Sequence, residues 1–202
     1  MHSSAAGPEP AAVLVPVKAF RAAKSRLAPA VDPTTRACLA RSMAERVLAA
    51  AAPLPVAVVC DDPEVAEWAA DRGALVLPAP GIGLNRAVAS GRAALAARGF
   101  ARVAVVHSDL PAARNLAGLL GFEGLTLVPD RHRVGTNVLC LPSALPFPFS
   151  YGPGSFERHL AAARASGLPV RILEPLELTW DVDLPDDVAA ALAHLGPSCL
   201  PA

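Results

Sequence analysis

Short apolar runs of strand length alternate with segments of helical period along this chain. No other feature constrains its fold as strongly. Val13–Val17, Pro55–Cys60, Leu75–Leu77, Arg102–His107, Leu125–Val128 and Thr136–Leu141 read as strands. Between the first four lie helical segments: one from Asp32, with Asp as cap, Pro33 in the first turn and Leu39, Met43 and Val47 on one face, then Pro63–Arg72 and Asn85–Arg98. Strands without polar alternation are buried on both faces, which is the habit of a parallel sheet covered by helices. The pattern predicts one α/β domain with a mostly parallel mixed sheet and helices on both faces. Leu116–Leu120 predicts a short helix and Ser155–Ala165 a longer one. Val170–Leu173 and Leu178–Val182 read as extended, Asp186–His194 as helical, and the proline-rich Pro142–Pro153 as a loop or lid.

At 202 residues the chain suits a single domain, and a 53% apolar fraction supplies its core. The boundaries read as a loose leader over 1–12, a folded unit over 13–195 and a tail over 196–202. Lys plus Arg, 18, balance Asp plus Glu, 18, and aromatics are 4%, so neither a nucleic-acid nor a membrane partner is expected. Cys38, Cys60, Cys140 and Cys199 show no C-x-x-C spacing and read as reduced thiols. With no signal peptide or bilayer-length run, the expected location is cytoplasmic.

Ligands of open α/β sheets collect beyond the carboxyl ends of the strands, so polar residues there matter most. Lys18, Arg21, Lys24 and Arg26 place four cations within nine residues after the first strand, a set suited to polyphosphate or simply to a solvated loop. There is no Walker A loop and no nucleophile elbow. Asp109 ends the fourth strand, and Asp181 and Asp183 stand two apart, on one side of an extended segment. Converging carboxylates suit Mg²⁺, although Asp109 and Asp183 could equally start the helices after them. Asp130–Asn137 joins two strands through cations, a glycine and a hydroxyl. Tyr151–Phe156 opens a helix whose N–H groups and Ser155 could bind an anion. Asn85, after Gly81-Ile82-Gly83-Leu84, could be only a helix cap, and His107 and His132 read as structural or solvated.

Taken in order, certain segments resemble the 2-phospho-L-lactate/phosphoenolpyruvate guanylyltransferases of coenzyme F420 biosynthesis. They are Val15-Pro16-Val17-Lys18, Ala23-Lys24-Ser25-Arg26-Leu27, Gly83-Leu84-Asn85 and Ser108-Asp109-Leu110-Pro111. Pro129-Asp130-Arg131, Gly135-Thr136-Asn137, Tyr151-Gly152-Pro153-Gly154-Ser155 and Asp181-Val182-Asp183-Leu184-Pro185-Asp186 complete the set. The resemblance implies a nucleotide-diphospho-sugar transferase-like (GT-A-like) fold, with GTP, Mg²⁺ and a small phosphorylated acid as reactants. It implies Asp109, Asp181 and Asp183 as metal ligands, and Thr136, Gly152 and Ser155 around the acid. Lys18, Lys24 and Arg26 would face the triphosphate as binding and catalytic cations, with Asn85 at the nucleoside. Phosphoenolpyruvate, 2-phospho-L-lactate and 3-phosphoglycerate are the candidate acids, and the next enzyme of the pathway is a candidate recipient of the product. A more basic Arg131-His132-Arg133-Val134 stretch departs from the family pattern. The competing readings are a sugar-phosphate or molybdopterin-type nucleotidyltransferase, which usually opens with a glycine-rich loop, and a non-catalytic nucleotide-binding partner.

Overall fold

The computed structural model describes residues 9–195. Seven strands form one sheet in the order β3-β2-β1-β4-β6-β5-β7. They are β1 (Ala11–Pro16), β2 (Val56–Cys60), β3 (Leu75–Pro78), β4 (Arg102–Val106), β5 (Leu125–Pro129), β6 (Thr136–Pro142) and β7 (Val170–Ile172). β1 runs parallel to both β2 and β4, and β2 parallel to β3. β6 runs antiparallel to β4 and β5, while β5 and β7 are parallel. The mixed α/β sheet agrees with the expectation.

The helices are α1 (Pro33–Ala50), α2 (Pro63–Asp71), α3 (Leu84–Ala97), α4 (Ser155–Ala165), α5 (Leu176–Thr179) and α6 (Asp187–Leu195). α1 and α2 start alike: Asp32 and Asp62 accept N–H bonds from the first turn, and Pro33 and Pro63 preset it. Each such cap contributes about 1 kcal/mol. Strand period two divides the core. Val13 and Val15 join Ala44, Val47 and Trp68 of α1 and α2 on one face. Ala12 and Leu14 join Val88 and Leu95 of α3, and Phe156 and Leu160 of α4, on the other. α3 lies so close to β1 that a Cβ at Gly91 would sit 2.9 Å from Leu14. A third cluster packs Leu39 and Met43 of α1 against Val182 and Ala191.

Three expectations need correction. β1 begins at Ala11, inside the stretch read as a leader; the rest of that leader to residue 8, and the tail 196–202, lie outside the described residues. Leu178–Val182 is not wholly extended, because α5 covers Leu178 and Thr179. The N–H groups of both residues donate to Pro175 O at 2.9 and 3.1 Å, and Asn137 Nδ2 captures Leu178 O at 3.0 Å. These bonds outweigh the extended preference of Thr179, a local bias that context readily overrides, while Trp180 stays extended. Finally, Cys38 is disulfide-bonded, whereas Cys60 and Cys140 are buried free thiols. Cys199 lies outside the described residues. Disulfides depend on closeness in space, which sequence spacing does not report.

Candidate active site

Sheet order reverses at β1: β2 and β3 continue to one side, β4 lies on the other. The crevice beyond the carboxyl ends of β1 and β4 is therefore the natural ligand position. Lys18 emerges there from β1, and His107-Ser108-Asp109 from β4. Two cavities share Val17, Lys18, Ser108 and Asp109 in their walls. The smaller, about 240 Å³, is completed by Phe20, Lys24, Arg26 and Asp183. The larger, about 510 Å³, reaches Cys60, Asp61, Gly83 and Leu84. The larger also has Val59, Ala79 and Ala87 in its lining, an apolar side to the cavity.

Asp109, Asp181 and Asp183 converge, with one oxygen of each within 4.8 Å of the others. Val182 N donates to Asp109 O at 3.3 Å, tying the 181–183 segment to the end of β4. Lys24 Nζ enters this group, 2.7 Å from Asp109 Oδ2, 3.5 Å from Asp183 Oδ1 and 2.5 Å from Val182 O. Burial pushes Asp181 up to about 6, and the neighbouring Asp109 and Asp183 charges push the same way. Burial would also raise Asp109, but Lys24 and His107 together hold it below its ordinary value. Burial opposes the charge on Lys24, and the three carboxylates overcome it, so the ammonium is held above its usual value. One ammonium among three carboxylates leaves excess negative charge. Asp109 Oδ1 is buried with no hydrogen-bond partner among the described residues. An all-oxygen set with a spare, desolvated carboxylate oxygen fits a hard divalent cation.

The basic loop does not act as one unit. Phe20 anchors it, its ring edge-on to Trp68 at 5.1 Å and beneath the Arg41 guanidinium at 4.9 Å. Arg21 turns away to Asp62 at 2.7 Å, so it leaves the expected cation set. Lys24 adopts a left-handed backbone, φ 55°, which costs a non-glycine residue about 1 kcal/mol. The three oxygens around its ammonium hold it there. Arg26 reaches Asp183 Oδ2 at 3.0 Å from an exposed position. Lys18 is exposed and lines both cavities; no ion pair engages it among the described residues.

Thr136, Gly152 and Ser155 do meet. Ser155 Oγ lies 3.5 Å from Thr136 Oγ1, and Ser155 N donates to Gly152 O at 2.9 Å. Thr136 and Ser155 are each only 1% exposed, so these hydroxyls lie beneath the surface. The expected anion site of free N–H groups at the start of α4 needs revision: Phe156 N donates to Val134 O, and Ser155 N is used as above. Asn85 also departs from expectation. Its Oδ1 accepts Tyr151 N–H at 2.6 Å and its Nδ2 donates to Tyr151 O at 3.4 Å, so the amide braces the 150–153 turn. Gly83 and Leu84 line the larger cavity in its place.

Sequence reasoning assigned no role to six supporting residues. Asn137 holds α5, which leads to Asp181, and its carbonyl accepts His107 N–H at 3.0 Å beside Asp109. Asp187 Oδ2 accepts the N–H groups of Asp183 and Leu184 at 3.0 and 2.8 Å, fixing the backbone of a candidate ligand. Arg131 grips the other Asp187 oxygen at 2.7 Å, which gives the basic 131–133 stretch a structural purpose. Arg133 pairs with Glu174 and lies 4.9 Å over the Phe156 ring. Arg158 binds Ser150 O and Pro153 O at 2.7 and 2.8 Å. His159 joins Ser150 to Thr136. His159 was legible in part, since position i+4 from Ser155 shares its face of the helix.

A reversal of strand order with acidic residues gathered at its crevice defines an open-sheet α/β protein with its ligand site at the carboxyl ends of β1 and β4. A nucleotidyl transferase from Methanothermobacter has the same fold: TM-score 0.65 at 16% identity, covering 94% of this chain and 98% of its own. The family described as "Guanylyl transferase CofC like" matches residues 11–197, and the chain belongs to that family. It is similar to a phosphoenolpyruvate guanylyltransferase of Sphaerobacter thermophilus, 40% identical over 90% of this chain and 92% of the relative. A protein of the same name from Rubrobacter xylanophilus is 40% identical over 91% and 94%. No helix among the described residues is long and apolar enough to cross a membrane.

Proposed function

We propose that the protein transfers GMP from GTP to a small phosphorylated acid, with phosphoenolpyruvate as the first choice, as a step of coenzyme F420 biosynthesis. The observation that carries this reading is the meeting of Asp109, Asp181, Asp183 and Lys24 beside two cavities that share walls at the β1/β4 crevice. The larger cavity would take the nucleoside and the smaller the phosphates, with Lys18 serving both. The curated relatives named for phosphoenolpyruvate support the choice of acid.

In this reaction a phosphate oxygen of the acid attacks the α-phosphorus of GTP. The new O–P bond forms as the α–β bridging bond breaks, and pyrophosphate departs with that electron pair. The nucleophile is already ionised at neutral pH, so no side chain need take a proton. The task left to the protein is to neutralise two anions and align them. Asp109, Asp181 and Asp183 would hold Mg²⁺, which would supply neutralisation of phosphate charge when bound. Lys24 would take charge near the α-phosphate and Arg26 near the outer phosphates. Thr136, Gly152 and Ser155 would seat the acid.

The test is incubation with GTP, Mg²⁺ and each acid in turn, reading pyrophosphate and the mass of the guanylylated product. The expected order has phosphoenolpyruvate fastest. No product with phosphoenolpyruvate, 2-phospho-L-lactate or 3-phosphoglycerate overturns the reading.

A further inference from the structure

His159 is fully buried on α4, and both of its ring nitrogens are engaged. Ser150 N lies 2.9 Å from Nε2, and a backbone N–H can only donate, so Nε2 must be the accepting, unprotonated nitrogen. A neutral ring in that arrangement carries its proton on Nδ1, which lies 3.0 Å from Thr136 Oγ1. Thr136 Oγ1 therefore accepts from the ring, and from Ser155 Oγ at 3.5 Å, and its own hydrogen is left to point at another acceptor. The Tyr151 ring meets the imidazole edge-on at 4.7 Å and Phe147 lies at 5.7 Å, so the ring cannot swing without disturbing the aromatic wall.

We propose that His159 is a positioning residue for the acid substrate, acting as a single-tautomer strut between the 150–153 turn and the Thr136 hydroxyl. The inference rests on the functional reading in which Thr136 binds the acid, and it deepens that reading. One end of the ring fixes the height of the turn that carries Gly152. The other turns the Thr136 hydroxyl into a donor toward an anionic oxygen. Burial pushes the imidazole down to about 4, with His107 and Arg158 pushing the same way, so the strut stays neutral near pH 7.

Two substitutions cut the strut at opposite ends. His159→Gln reaches Ser150 but not Thr136; His159→Asn reaches Thr136 but not Ser150. In steady-state assays with GTP, Mg²⁺ and phosphoenolpyruvate, each is expected to raise KM for the acid about 10- to 100-fold, the effect of one hydrogen bond to a charged group. KM for GTP should stay within about threefold. Thr136→Val should raise the acid KM similarly, and combining it with His159→Asn should add little. In the unaltered protein, NMR of the ring nitrogens should find Nδ1 protonated and Nε2 bare, a readout that needs no variant to fold. An Nε2-protonated ring overturns the inference, as does an acid KM unchanged in folded His159 variants or matched by an equal rise for GTP. If Thr136→Val alone raises the acid KM, the strut fails and the acid site stands. If Thr136→Val leaves that KM unchanged, the assignment of Thr136 falls and the strut with it. No turnover by the unaltered protein removes the functional reading itself.

Discussion

The two halves of the sheet handle polar groups in opposite ways. The β3-β2-β1-β4 half leaves its carboxyl rim open, and Lys18 and Asp61 line cavities from exposed positions. The β6-β5-β7 half closes over its polar groups: Thr136, Ser155 and His159 are buried and linked by hydrogen bonds, and buried Asn137 donates to Leu178 O. An open, charged rim suits a ligand bound largely through solvated phosphates. A sealed network orients hydroxyls accurately because each buried polar group must find a partner. The carboxylate trio lies at the seam, with Asp109 from β4 and Asp181 and Asp183 from the segment after α5.

The seam should be the most sensitive point. Asp109→Asn removes the one carboxylate contributed by the open half and should lower pyrophosphate release by about a thousandfold. A variant retaining more than a tenth of the activity would break the assignment of the seam. Chelation of divalent cations should abolish turnover of the unaltered protein, with recovery on adding Mg²⁺. Lys24→Met comes next: about a hundredfold slower turnover is expected, with a smaller change in KM for GTP. An effect confined to KM would make Lys24 a binding cation only.

Acid should damage the sealed half through His159. His159 has its folded value near 4 against an ordinary 6.5, so between those values the unfolded chain binds a proton that the folded protein refuses. Stability must therefore fall as pH drops from 6.5 through 4, by at most about 3 kcal/mol from this group. Denaturant titrations at pH 7 and pH 4.5 should show His159→Gln losing less of its own stability than the unaltered protein does. Equal losses would show that the imidazole is not what acid disrupts. Arg26→Ala should matter least: its ion pair with Asp183 is exposed, so stability should change by under about 1 kcal/mol. A severalfold loss of activity at constant stability would place Arg26 on the nucleotide.

Much of the open half was legible because its signals are local. Val13–Val17 and Pro55–Cys60 are continuous apolar runs, and Asp32-Pro33 and Asp62-Pro63 announce helices from neighbouring residues alone. Residues whose partners lie far along the chain were less so. Asn85 has the amide of a ligand-binding residue, yet it is committed to the Tyr151 backbone, 66 residues away. The turn of α5 depends on Asn137, 41 residues earlier, and the disulfide at Cys38 on proximity that spacing conceals. His159 offered only its helical offset from Ser155.

The amino-acid order by itself determined the alternation of strands and helices, the caps, and which acids and cations stand at strand ends, because periodicity and capping act over a few residues. Only the folded chain decided that Asp109 meets Asp181 and Asp183, that Arg21 turns away to Asp62 while Lys24 enters the carboxylates, and which nitrogen of His159 carries its proton. Those outcomes depend on burial and on partners distant in sequence, and electrostatic and hydrogen-bond energies are set by distances that exist only after the sheet has closed.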